Sequence, residues 1–163
     1  MNEEKPTERY LAFISYNHSD KRALDELHAN LDHYAQSRTL EYWDDTKIPP
    51  GSKWKEEIQK ALKSAAIAIL LISPAFLASG FIVRNELPPL LKAAEEEGIT
   101  ILCVIVRDCL FQESNLRVFQ SVNPPSEPLN GMSQRKRDAV WIKVAITARE
   151  CLERNQDKSK SIS

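Results

Sequence analysis

Two runs of apolar residues, AIAILLI (Ala66–Ile72) and ITILCVIV (Ile99–Val106), limit the folds open to this chain more than any other feature. Apart from Thr100 neither run holds a polar side chain, so each segment reads as a strand covered on both faces. Such strands belong to a parallel sheet with helices above and below it. YLAFISY (Tyr10–Tyr16), aromatic and β-branched, reads as another buried strand, and TLEYW (Thr39–Trp43) as a further one with Leu40 and Tyr42 on one face.

Helical spacing fills the intervals. Leu24, Leu27, Leu31 and Tyr34 recur between Asp20 and about Ser37. Trp54, Ile58, Ala61, Leu62 and Ala65 form a second stripe, with Ser52 as its predicted N-cap and Glu56 and Glu57 near the positive end of the helix dipole. A third helix is predicted from about Glu86 to Glu97, closed by Gly98. A last helix, Lys136–Arg154, carries Val140, Trp141, Val144, Ala148 and Leu152 on one stripe. RVFQSV (Arg117–Val122) is expected to add a short edge strand. The alternation predicts an α/β, flavodoxin-like three-layer domain with a parallel sheet of four to five strands and right-handed crossovers. It spans residues 9–154, after an N-terminal extension over 1–8 and before a polar stretch, 155–163, that is a frayed tail or the start of a linker to a further domain such as a C-terminal sensor.

The bulk composition excludes several functions. A formal net charge of -1 leaves no electrostatic footprint for direct nucleic-acid binding. The local cluster Arg135-Lys136-Arg137 reads as a solvated loop beside Asp138. Three cysteines without CxxC spacing predict neither a disulfide framework nor a zinc site, and Cys103 reads as a small buried hydrophobe. The polar N-terminus and the absence of a long apolar run predict a cytoplasmic protein without a signal peptide or membrane span.

In open α/β sheets, ligands bind at the carboxyl ends of the strands near the point where strand order reverses. The loops of interest are therefore SYNHSD after the first strand, DDTKIPPGSKW after the second and SPAFLASGFIVRNE after the third. Together they hold donors, carboxylates, aromatic rings and one acid, Glu86, set among Phe81, Ile82, Val83 and Leu87. That is the composition of a small-molecule pocket, apolar with a few polar groups.

In that order and spacing, AFISYNHSD, WDDTKIPPGSKW, SPAFLASGFIVRNELPPLL and ILCVIV resemble the Toll/interleukin-1 receptor (TIR) domain, over roughly residues 8–154. The closest flavour is the bacterial type, in which an SPxFLxSxFIxxxEL segment leads into the third helix. The resemblance implies one of two functions. Many TIR domains only assemble signalling complexes, whereas another branch cleaves the nicotinamide–ribose bond of NAD+. In that branch an acid at the start of the third helix is catalytic, and its counterpart here is Glu86. By residue type alone, Glu86 could equally be a first-turn acid favoured by the helix dipole, ahead of Pro88 and Pro89.

The resemblance extends further. Ser15, Tyr16, Asn17 and His18 match the nucleotide-contacting loop, where relatives often carry basic residues and this chain has only a histidine. Asp44 matches an acid that holds the nicotinamide ribose or amide, or else it caps a turn. Trp54 frames the pocket or fills the helix core, and Ser79 bonds ribose or turns its loop. NAD-cleaving relatives carry a tryptophan four residues before the glutamate; Ile82 stands there in this chain, with Phe81 the nearest ring. The mobile BB loop, represented here by Asp45, Lys47, Ile48, Pro49, Pro50 and Gly51, is implied to contact other TIR domains, with Ile48, Pro49 and Pro50 as an exposed apolar tip. NAD+ is then substrate, with no cofactor or metal expected. A phosphoacceptor receiver is excluded because LLISPAF lacks the aspartate it needs, and a flavin carrier because the first loop lacks a phosphate cradle.

Overall fold

The computed structural model describes residues 8–160; of the predicted N-terminal extension and the polar tail, residues 1–7 and 161–163 lie outside it. Four parallel strands, β1 (Leu11–Ser15), β2 (Tyr42–Trp43), β3 (Ala65–Ile72) and β4 (Thr100–Ile105), form one sheet in the order β2-β1-β3-β4. The helices are α1 (Lys21–Gln36), α2 (Trp54–Ser64), α3 (Pro74–Ala78), α4 (Leu87–Glu96) and α5 (Gln134–Lys160). This is the predicted flavodoxin-like α/β architecture.

The unbroken apolar runs are explained by the two helical layers. Ile67, Ile69 and Leu71 of β3 pack with Leu24, Leu27 and Leu31 of α1 and with Trp141, Val144 and Ala148 of α5. The alternate residues Ala68, Leu70 and Ile72 pack with Leu62 of α2, Phe76 of α3 and Leu90 of α4. All eight residues of β3 are buried, as the period-2 alternation of a strand between two layers requires. Burial on both sides stabilises by roughly 1.5–3 kcal/mol for each large aliphatic side chain. The chain steps from β1 out to β2, then returns to place β3 on the other side of β1. Loops leaving β1 and β3 therefore diverge and open a crevice.

Several expectations need correction. RVFQSV does not form a fifth strand: Asn115–Val118 winds into a 3₁₀ turn whose Leu116 N–H donates to Ser114 Oγ, and only Ser121 bridges to Cys103 of β4. Farther along β4, the Asn123 amide does what a paired backbone would do. Its Oδ1 accepts from the Ile105 N–H at 3.0 Å and its Nδ2 donates to the Ile105 carbonyl at 2.9 Å. Ser52 is not the N-cap of α2, because its hydroxyl donates to the Pro49 carbonyl at 2.6 Å, and Lys53 stands at the cap without a side-chain bond. Helix α5 continues past Arg154 to Lys160, through most of the stretch that polarity marks as a tail, and Asn155 ties it to the Arg9 carbonyl at 3.3 Å.

The basic cluster is likewise no solvated loop. It lies in the first turn of α5, and Arg137 is buried, forking onto the Glu26 carboxylate of α1 and donating to the Leu129 carbonyl at 2.7 Å. A buried guanidinium needs this partner, which lies 111 residues away in sequence. Among the described residues no helix is long and apolar enough to cross a membrane.

Candidate functional site

A cavity of about 480 Å³ occupies the crevice at the carboxyl ends of the strands, within the size range of small-molecule sites. Three chain segments converge on it: Tyr16, Asn17 and His18 after β1; Trp43, Asp45 and Ile48 at and beyond the end of β2; and Ser79, Phe81, Ile82 and Glu86 after β3. Trp54 and Ile58 of α2 supply a further wall.

The segment bearing Glu86 owes its shape to two prolines. Pro88 and Pro89 have no N–H with which to continue an i→i−4 ladder. Residues Ile82–Glu86 adopt the wider π turn, in which the Leu87 N–H reaches the carbonyl of Ile82. Glu86 is therefore not at a helix N-terminus, and the first-turn reading fails, because helical backbone already begins at Gly80. Ile82 and Glu86, one turn apart, face inward and are buried, while Val83, Arg84 and Asn85 face solvent. The Ser79 hydroxyl accepts from the Ile82 N–H at 3.3 Å and so fixes the start of the turn.

Glu86 is 8% exposed and forms no side-chain hydrogen bond of good geometry among the described residues. Burial, and secondarily the negative charge of Asp45, push its carboxyl up to about 7; the nearby Ser15 hydroxyl and His18 oppose that rise. Ser15 lies beneath the cavity and does not line it. Its buried Oγ has no well-formed hydrogen bond, so its pull on Glu86 is that of a close dipole.

Asp45 is held from two sides. The Tyr16 hydroxyl donates to its Oδ1 at 2.7 Å, and the His18 imidazole Nε2 lies 2.5 Å from its Oδ2. Burial and this bond raise the Tyr16 phenol well above its ordinary range, so it remains a donor. Asp44 points away. It is fully buried outside the cavity, accepts from the Thr46 N–H at 2.9 Å, and meets His28 Nε2 at 2.6 Å. The turn-capping alternative for Asp44 is the one realised, because in extended backbone adjacent residues project to opposite sides.

The BB loop is divided too. Lys47 sits 4.0 Å over the Tyr42 ring, and Ile48 turns into the cavity, so Ile48 is not part of an exposed tip. Pro49, Pro50 and Gly51 are exposed, with Gly51 at φ +86°. Trp54 is 47% exposed and outside the core, its ring 5.3 Å from Phe81 in a tilted pair. Sequence reasoning missed Trp43, Ile48 and Ile58 as lining residues and assigned Asp45 to assembly. The alternation of β2 was the usable signal for Trp43, since Tyr42 faces the α1 layer and Trp43 stacks on Phe13 in the other. No group of three or more histidine, cysteine or acidic side chains among the described residues is placed to hold a metal ion.

A family model described as the TIR domain matches residues 12–135. The chain belongs to the TIR domain family. It is also 23% identical over 138 residues to an uncharacterized protein, y4lF, of Sinorhizobium fredii, covering 85% of this chain. The chain spans 42% of the length of that relative. Ile82 is buried against the cavity. The Phe81–Trp54 pair provides the aromatic surface at that wall.

Proposed function

We propose that this TIR domain cleaves the nicotinamide–ribose bond of NAD+, releasing nicotinamide and either ADP-ribose or a cyclic ADP-ribose. Glu86 carries the reading: it is a buried carboxylate with no ion-pair partner among the described residues, facing a cavity of nucleoside size. Nicotinamide leaves a pyridinium nucleoside as a neutral molecule, so its departure needs no acid. Positive charge develops on the ribose, as in other glycosidic cleavages. An ionised carboxylate fixed beside that carbon stabilises the charge as it forms, and it does so more strongly in a water-poor site. A carboxylate already paired with arginine would have little left to give.

The surroundings fit the two halves of the substrate. The aromatic wall of Trp54, Phe81 and Trp43 suits flat rings. Lys21 borders an adjoining depression that shares Tyr16, His18 and Asp45 with the cavity, putting a cation near the path of the anionic diphosphate. Exposed Pro49 and Pro50 support activation by self-assembly through the BB loop, as an effector of bacterial defence or virulence. The test is nicotinamide release from NAD+, followed by chromatography at high protein concentration, with Glu86→Ala beside the parent. Release that disappears in the variant supports the enzyme, and the co-product separates hydrolysis from cyclisation. Absence of release from the assembled parent would favour a TIR–TIR interaction module instead.

A further inference from the structure

We infer that His18, oriented by Asp45, is the base that removes the proton from the hydroxyl attacking the ribose; this rests on the NAD-cleaving reading. Glu86 faces the developing cation and is needed there as an anion. A second group must accept the proton of the incoming nucleophile. Asp45 is poorly suited, because both of its oxygens are engaged, Oδ1 by the Tyr16 hydroxyl at 2.7 Å and Oδ2 by His18 at 2.5 Å. The carboxylate instead selects the imidazole tautomer. With Nε2–H donating to Asp45, Nδ1 keeps its lone pair, and no other side-chain hydrogen bond to this ring is formed among the described residues.

The position of the ring fits that task. The His18 side chain is 78% exposed, so packing does not require it, yet it lines the cavity that contains Glu86. It also lines the adjoining depression with Lys21 and Thr46, which gives water an approach and the proton an exit. The contrast with His28 is instructive. That imidazole makes the same kind of contact with Asp44, but its carboxylate is buried outside the cavity, where the pair can only hold the loop.

In the reaction, the nucleophile's oxygen bonds to the anomeric carbon as the carbon–nitrogen bond breaks. The bonding pair leaves with neutral nicotinamide, and the nucleophile's proton passes to His18 Nδ1 and then to solvent. A pyridine attacking the same carbon carries no proton, so its reaction bypasses the base.

That difference supplies the test. Parent and His18→Ala are compared in two reactions of NAD+: hydrolysis, and exchange of nicotinamide for added 3-acetylpyridine. The ratio of hydrolysis to base exchange in His18→Ala is expected to fall by about a hundredfold, the lower end of what positioned bases contribute, whatever the loss of binding common to both reactions. Asp45→Asn, which removes the charge orienting the ring, is expected to shift the same ratio in the same direction by less. An unchanged ratio of hydrolysis to exchange in His18→Ala, whether both rates fall or neither does, would overturn the inference. A parent that neither releases nicotinamide nor exchanges it would overturn the reading beneath it, and the inference with it.

Discussion

Glu26 and Glu86 are glutamates of low exposure in opposite helical layers, and the two have opposite surroundings. Glu26, on α1, is gripped by the guanidinium of Arg137 and by the Gln134 amide, and the Arg137 hydrogen bond holds its carboxyl below the ordinary range. Glu86, on the other side of the sheet, has no ion-pair partner among the described residues, and burial carries its carboxyl up to about 7. Around Glu26 the layer is closed over the fully buried Trp141; around Glu86 it opens into a cavity. The first acid is satisfied and fixes two helices together. The second has no ion-pair partner among the described residues, which costs stability and leaves its charge free for a ligand.

The comparison can be broken most sharply at Glu86. Glu86→Gln keeps the volume and removes the charge, and nicotinamide release should fall by about a thousandfold, as when a preorganised electrostatic partner is lost. Purified parent and variant assayed side by side check this. The next effect lies in the closed layer. Trp141→Ala should destabilise by about 3–5 kcal/mol through the cavity it leaves, measured by chemical denaturation.

Arg137→Ala should cost about 3 kcal/mol, because Glu26 keeps its low exposure and loses its cation. The sign with pH follows from the lowered carboxyl. The stabilisation from Glu26 is present above its unfolded value and disappears as pH falls through the folded one. The parent and Arg137→Ala should therefore converge in stability as the solution is acidified, a trend readable from thermal midpoints.

Glu86 runs the other way. Its carboxyl is raised to about 7 from 4.5, so the stability associated with it is present below pH 4.5 and is lost as pH climbs through 7. Glu86→Gln should consequently be more stable than the parent at pH 8, by on the order of 2 kcal/mol, and nearly equal to it at pH 4. Activity that requires the ionised carboxylate should rise over the same interval in which stability declines. The smallest effect belongs to Asp45→Asn, which removes the second-largest cause of the rise and should move the rate profile toward lower pH.

The sheet was legible because the chain writes it in apolar runs. Ala66–Ile72 and Ile99–Val106 demanded cover on both faces, and the α1/α5 and α2/α4 layers supply it. Glu86 was legible by its place in the family pattern, and the loops around it by the rule for strand ends. What was not legible depends on partners distant in sequence. Arg137 looks like one of three solvated cations until Glu26, 111 residues away, lies beneath it. Asp44 and Asp45 are indistinguishable by type, and only the change from extended backbone at Asp44 to the 3₁₀ turn that opens at Asp45 sends one to His28 and the other into the cavity. The exposure of Trp54 at the first position of α2 could not be read from its helical spacing, which fits a core stripe equally well.

The most direct test of the account is a carboxyl-carbon NMR titration that follows the two glutamates in one sample. Glu86 should titrate near 7, and Glu26 below 4.5. Two ordinary midpoints lying together near 4.5 would contradict the opposition on which the proposed chemistry rests.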